Sequence, residues 1–64
     1  MIKKIAELAK EEDVVLVYYI GPDNVMTITV FAEHRDCIVI NALSFSDGEI
    51  IEITKDVIRR AKDD

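Results

Sequence analysis

The pattern of apolar and polar positions is most regular near the C-terminus, between Ser46 and Lys62. With about 100° between successive helical residues, the apolar side chains and one threonine fall within an arc of roughly 160°. These residues are Ile50, Ile51, Ile53, Thr54, Val57, Ile58 and Ala61, and charged residues fill the opposite side. Ser46 and Glu49 have the spacing of a capping box. The pattern therefore predicts an amphipathic helix that must cover another surface.

Residues 49–53 permit a second interpretation. They are rich in β-branched isoleucine and follow Asp47-Gly48, a favoured two-residue hairpin turn, so they could form a fourth strand. However, the adjacent Ile50 and Ile51 break strand alternation, whereas the helical stripe accommodates every apolar position. We expect the helix.

A second, N-terminal helix is predicted from Ile2 to Glu12. Its residues are strong helix formers, and it is short enough to depend on docking. Ile2, Ile5, Ala6 and Ala9 are expected on its buried face, with Leu8 at the margin.

Three segments between the helices are rich in β-branched and aromatic residues, which is typical of strands. A three-residue loop, Pro22–Asn24, is expected to place Gly21 opposite Val25 in the first hairpin. Residues Glu33–Asp36 are expected to form the second turn. The predicted strands are Val14–Ile20, Val25–Ala32 and Cys37 to about Phe45.

The fold class is therefore α+β, with one αβββα domain over residues 1–64. The three strands form an antiparallel meander in the order 1-2-3, and the C-terminal helix packs on the sheet. Both helices most simply cover the sheet face that carries Ile28, Val30 and Ile40. The alternative is that one helix crosses to the far face.

The far face of this sheet is unusually apolar for a surface that should meet water. Thr27, Thr29 and Asn41 interrupt it. A contiguous apolar patch usually marks an interface, so we expect self-association there, with another protein partner as the alternative. The first strand also has no Lys or Pro to protect its edge, so this edge is open to strand addition. The candidate interface residues are Val15, Val17, Tyr19, Phe31, Val39, Leu43 and Phe45, together with Val25.

Net charge, the length of apolar runs and the cysteine count limit the classes of function that this chain can have. The chain has thirteen acidic and eight basic residues, a net charge of −5, which disfavours binding to nucleic acid. No apolar run is long enough for a membrane span, and the N-terminus does not resemble a signal peptide, so we expect a soluble cytoplasmic protein. One cysteine excludes an internal disulfide, which leaves oligomerisation as a common stabiliser for 64 residues.

Candidate chemistry is confined to Glu33, His34, Asp36 and Cys37. Zinc sites usually combine two separate ligand pairs, and no second pair exists here. A thiol nucleophile needs an oriented base and an oxyanion hole, which a tight turn does not readily supply. We expect no metal, no cofactor and no enzyme activity.

The order helix, three strands, helix resembles the double-stranded RNA-binding domain over the whole chain, at the level of topology. That family uses a lysine-rich start of its second helix, where this chain has Asp47, Gly48 and Glu49, so the resemblance implies the architecture without RNA binding. The chain also resembles small acidic phage-encoded inhibitors of CRISPR nucleases, and it resembles computationally designed proteins in the agreement of its capping, turn and helix signals. Two functions follow as hypotheses: an idealised structural domain without evolved activity that pairs with itself, or an acidic module that binds another protein.

Overall fold

The computed structural model describes residues 1–63 and contains two helices and three strands. In chain order these are α1 (Ile2–Glu12), β1 (Val15–Ile20), β2 (Val25–Phe31), β3 (Arg35–Asn41) and α2 (Asp47–Lys62), with a short 3-10 turn at Ala42–Ser44. The strands form one antiparallel sheet in the order β1-β2-β3. This confirms the predicted α+β meander with a C-terminal helix on the sheet.

The register of β1 on β2 is the predicted one. Tyr18 pairs with Ile28, and Ile28 pairs with Ile38 on its other side. Because side chains alternate along a strand, this register collects the large aliphatic side chains on one face. Met26, Ile28 and Val30 on this inner face are all buried.

The loop of the first hairpin is also as predicted. The Asn24 amide donates to the Gly21 carbonyl at 3.1 Å, and the Gly21 amide donates to the Val25 carbonyl at 2.8 Å. Asn24 has a positive φ of 60°, which asparagine tolerates better than most residues. The resulting three-residue loop fixes the register of β1 on β2.

Helix α2 lies over the inner face and closes the core. Ser46 caps it: its hydroxyl accepts from the Glu49 amide at 3.2 Å, and the Glu49 carboxylate accepts from the Ser46 amide at 2.9 Å. Residues 49–53 are helical, so the fourth-strand alternative is excluded. The side chains that α2 buries against the sheet and α1 are Ile50, Thr54, Val57, Ile58 and Ala61.

Helix α1 packs beside α2 with a different face from the predicted one. Ile5 is buried as expected, and Leu8 and Ala9 are half-buried, but Ile2 is 62% exposed and Ala6 is also exposed. Met1, rather than Ile2, packs against the core cluster around Ile5. The buried stripe is therefore rotated toward α2.

Strand β3 begins earlier and ends earlier than predicted. The second hairpin closes at Ala32–His34, where the Ala32 amide donates to the His34 carbonyl at 3.0 Å, so Arg35 and Asp36 belong to the strand. At the other end the Asn41 side chain accepts from the Leu43 amide at 3.0 Å and starts the 3-10 turn. This local bond competes with strand pairing, so β3 does not extend to Phe45.

The second hairpin is tied to the end of α2. The His34 amide donates to the Ala61 carbonyl at 2.8 Å. Carbonyls in the last turn of a helix have no partner within it, so the hairpin supplies the missing donor.

Candidate protein-interaction surface

Both helices lie on the inner face, and no residue in the described range 1–63 covers the opposite face of the sheet. Val15, Tyr19 and Val39 there are 60–64% exposed. The alternative in which one helix crosses over is therefore wrong. We call this surface the outer face and define it by the outward-pointing residues Val15, Val17, Tyr19, Val25, Thr27, Thr29, Phe31, Arg35, Cys37, Val39 and Asn41.

Strand pairing arranges the outer face in rows across the three strands. Val17, Thr29 and Cys37 form one row, because each is the direct partner of the next. Tyr19, Thr27 and Val39 form the next row. The Cβ atoms of such cross-strand neighbours lie about 4.5–5.5 Å apart. The β-branched and aromatic side chains therefore form one contiguous surface.

Charge is nearly absent from the outer face. Arg35, at the corner beside Phe31, is the single charged residue of the defined set. The net charge of −5 is therefore carried by the helices, the turns and the chain ends. A second uncharged surface could approach this face without bringing acidic groups together.

Two residues of the predicted interface do not lie on the sheet. Leu43 is 77% exposed on the 3-10 turn, and Phe45 is half-buried against the inner cluster that contains Ile5 and Ile50. Phe45 belongs to the core side because the chain turns away from the sheet after Asn41. Val15, Val17, Tyr19, Phe31 and Val39 lie together on the outer face, although their role as an interface stays a prediction.

Strand β1 is an open edge whose backbone groups can be assigned by alternation. The Gly21–Val25 bond fixes which residues of β1 bond to β2, and these are the odd-numbered ones. The amides and carbonyls of Leu16, Tyr18 and Ile20 therefore face away from the sheet. No charged residue or proline protects this edge.

A mainly apolar groove, which Lys3 and Asp47 also line, adjoins this edge on the inner side, and the sequence patterns did not reveal it. Ile2 of α1 lines it beside Tyr18 and Ile20 of β1. Ile2 is 62% and Ile20 is 46% exposed. Hydrophobic periodicity had placed Ile2 on the buried face of α1, so no signal in the sequence indicated that this residue would be exposed.

The four residues considered for metal or thiol chemistry do not lie on one face of the sheet. Asp36 points to the inner face beside Val30, whereas Cys37 points to the outer face beside Thr29. Asp36 is engaged by Arg60, whose Nε lies 2.6 Å from Asp36 Oδ2. Within residues 1–63 no group of three or more potential metal ligands comes together.

The two arginines near the end of α2 have different partners. Arg60 reaches across to Asp36 on β3, while Arg59 contacts Asp56 within α2 at 3.4 Å. The hydrogen bond from Arg60 lowers the pKa of Asp36 below its ordinary value. Asp36 is thus a structural anion and not a free base for the Cys37 thiol.

None of the helices described between residues 1 and 63 combines the length and apolarity needed to cross a membrane. Comparison of the chain with protein-family models, with curated proteins and with solved structures finds no match.

Proposed function

We propose that this chain is an idealised structural domain without catalytic activity that pairs with a second copy of itself through the outer face. The observation that carries the proposal is the exposed, nearly uncharged outer face, with Tyr19 and Val39 about 60% exposed. Antiparallel sheets that meet water usually alternate toward polar residues on that side. The close agreement of turn, cap and helix signals supports the idealised origin.

The dimensions of the outer face support weak pairing. Three strands spaced by about 4.8 Å and seven residues rising about 3.4 Å each give a flat footprint of roughly 340 Å². Patches of about 300–600 Å² on single chains are often functional. Two such faces stacked about 10 Å apart would fall below the size of most stable interfaces, so we expect a dissociation constant between about 1 µM and about 1 mM.

Net charge does not oppose this arrangement strongly. The chain carries −5, but the outer face has no acidic residue. At physiological ionic strength the Debye length is about 8 Å, so acidic groups outside the contact are largely screened from each other. Association should therefore strengthen as salt is raised.

The test is sedimentation equilibrium of the reduced protein from about 1 µM to about 1 mM, comparing wild type with Val39→Lys. Val39 is far from the β1 edge, and its side chain is 60% exposed, so the substitution should leave the fold intact. It also reduces the net negative charge, which by itself would favour association. Glu7→Gln, at an exposed position of α1 away from the outer face, changes the net charge equally and serves as control.

Cys37 provides a second measurement. Its thiol is exposed in the single chain and lies on the outer face, so pairing should slow its reaction with a thiol reagent as protein concentration rises. We expect Val39→Lys, and not Glu7→Gln, to abolish this protection. A wild-type chain that stays monomeric at about 1 mM would overturn the proposal and leave the face to a different protein, as the acidic-module alternative holds.

A further inference from the structure

We infer that the edge of β1, together with the adjoining flank of α1, is a second self-association surface that joins two copies into a continuous six-stranded sheet. This contact is made through the backbone edge of β1 and shares with the outer face only side chains of β1 itself, such as Val17 and Tyr19, so it can form whether or not the outer faces pair. It rests on three observations: the outward backbone groups of β1, the uncharged composition of that strand, and an exposed apolar stripe on α1.

The backbone of β1 is complementary to itself. Its outward amides and carbonyls belong to the even-numbered residues Leu16, Tyr18 and Ile20. Two antiparallel copies related by a two-fold axis through Tyr18 align these even positions, so that Leu16 of each copy faces Ile20 of the other. Each aligned pair exchanges two hydrogen bonds, which would satisfy the edge on both chains.

Side chains on β1 permit this pairing. The strand reads Val-Leu-Val-Tyr-Tyr-Ile and carries no charge, so no like charges meet in the antiparallel arrangement. In the same alignment Val17 of each copy lies beside Tyr19 of the other, and aromatic side chains beside β-branched ones are favourable cross-strand pairs. The strand also lacks the lysine, proline or bulge with which natural sheets block edge pairing.

The flank of α1 supplies the second layer of the contact. Residues that approach α2, such as Lys4, Glu7 and Leu8, lie on one side of α1 beside Ile51. Ile2 and Ala6 are one helical turn apart on the other side, and Ile2 lines the groove with Tyr18 and Ile20. This stripe is apolar, exposed and positioned above the open edge of the sheet.

Pairing at β1 would bring the α1 helices of the two copies side by side and antiparallel on the inner face. Small residues let helices approach closely, and Ala6 lies one helical turn after Ile2 in the stripe. Antiparallel helices also align their dipoles favourably. The contact then covers Ile2 and Ile20, which the single chain leaves 62% and 46% exposed.

The proposed contact is thicker than a strand edge alone, because it includes the helix layer as well as the sheet. An edge alone offers a ribbon about 20 Å long and one backbone thick. The helix layer lies about 10 Å above the sheet and α1 is about 16 Å long, so the contact spans both layers of the domain. The area of this contact is roughly comparable with the footprint of the outer face. The contact also includes backbone hydrogen bonds between the two β1 strands, which pairing through the outer face lacks.

Amide hydrogen exchange by NMR tests the inference on the unmodified chain. The amides of Leu16, Tyr18 and Ile20 should exchange about tenfold more slowly at 1 mM than at 20 µM. The opposite edge supplies the internal control, because the outward amides of Cys37 and Val39 on β3 should not change. Sedimentation over the same concentrations establishes the fraction of paired chains.

Ala6→Lys provides the matched variant, since Ala6 is exposed and its replacement should not disturb the core. It should abolish the concentration-dependent protection at β1, whereas Glu7→Gln should retain it. Retention of β1 protection in Ala6→Lys would overturn the helix part of the inference. Circular dichroism at low concentration verifies that both variants fold.

The two self-association surfaces give separable results. Protection of the β1 amides without slowing of the Cys37 reaction supports the edge and overturns the outer face. Slowing of the Cys37 reaction with unprotected β1 amides supports the outer face and overturns the edge. A monomer at 1 mM overturns both.

Discussion

Arg60 Nε donates to Asp36 Oδ2 at 2.6 Å, which joins the last turns of α2 to the first residues of β3. Asp36 is the only acidic residue within the three strands and faces the helical side of the sheet. The bond from Arg60 is the main cause that lowers the pKa of Asp36, and it raises the pKa of Arg60 in return. Both side chains remain partly exposed, at 49% and 30%.

This pair predicts a specific dependence of stability on pH. The folded state depresses the pKa of Asp36, so its contribution is complete above the unfolded value of about 3.9 and is lost as pH falls through the lower folded value. Asp36→Asn should therefore lower the melting temperature by about 2–4 °C at pH 7. As pH falls through the folded pKa of Asp36, the melting temperatures of variant and wild type should converge.

Asp56→Asn is the control for this experiment. Asp56 pairs with Arg59 within α2 at 3.4 Å and is 62% exposed, so it links no two elements. Its replacement should change the melting temperature by less than about 2 °C at any pH. An equal effect of both variants would contradict the structural role of the Arg60–Asp36 bond.

Two valines on neighbouring strands test how much the inner and outer faces of the sheet each contribute to the free energy of unfolding. Val30 is fully buried on the inner face and Val39 is 60% exposed on the outer face. Val30→Ala should lower the free energy of unfolding by about 1.5–3 kcal/mol, because it removes packed methyl groups and leaves a cavity. Val39→Ala should change it by less than about 0.5 kcal/mol in dilute protein, as measured by urea unfolding.

Thr54 is the buried polar residue of the core, and its hydroxyl donates to the Ile50 carbonyl at 2.8 Å. That carbonyl belongs to the helical ladder, so loss of the hydroxyl leaves no backbone group without a partner. Thr54→Val should preserve stability or raise it by about 0.5 kcal/mol. Thr54→Ser keeps the hydroxyl but removes a packed methyl group and should cost about 1 kcal/mol, so a larger loss in Thr54→Val than in Thr54→Ser would refute this account.

The first hairpin depends on the positive φ of Asn24. Asn24→Ala should cost about 1 kcal/mol in thermal unfolding, because alanine tolerates the left-handed region less well than asparagine does. Asn24→Gly should be nearly neutral. Asp23→Ala removes a polar side chain from the adjacent position, which lacks a positive φ, and should also be tolerated.

Much of the fold could be predicted because independent signals agreed. The alternation of β2 and the Pro22–Asn24 loop demanded the same register, and the structure has it. The helical stripe and the Ser46–Glu49 capping box fixed α2. In each case a local conformational preference coincided with the burial pattern.

The predicted bounds of β3 were wrong because contacts of single polar side chains, and not hydrophobic periodicity, determine where this strand begins and ends. Asn41 bonds to the Leu43 amide and stops β3, which moved Phe45 from the outer face to the core. Asp36 entered the strand because the second loop has three residues and Arg60 satisfies its charge on the inner side. Neither event is visible in hydrophobic periodicity, since both depend on polar contacts.

The candidate interaction surfaces were predictable only in part. Alternation placed Val17, Tyr19 and Val39 together on the outer face. It could not reveal that α1 rotates toward α2 and leaves Ile2 uncovered, because several helix orientations fit the same amphipathic stripe. That orientation depends on packing between elements distant in the sequence.

The bond from the His34 amide to the Ala61 carbonyl has a consequence for local unfolding. The tip of the second hairpin and the final turn of α2 must separate before either can open to solvent, so they form one cooperative unit. Ala61 is fully buried, which means that fraying of the helix end would also expose part of the core. The end of α2 is therefore held closed by a loop, and its fluctuations should follow those of the loop.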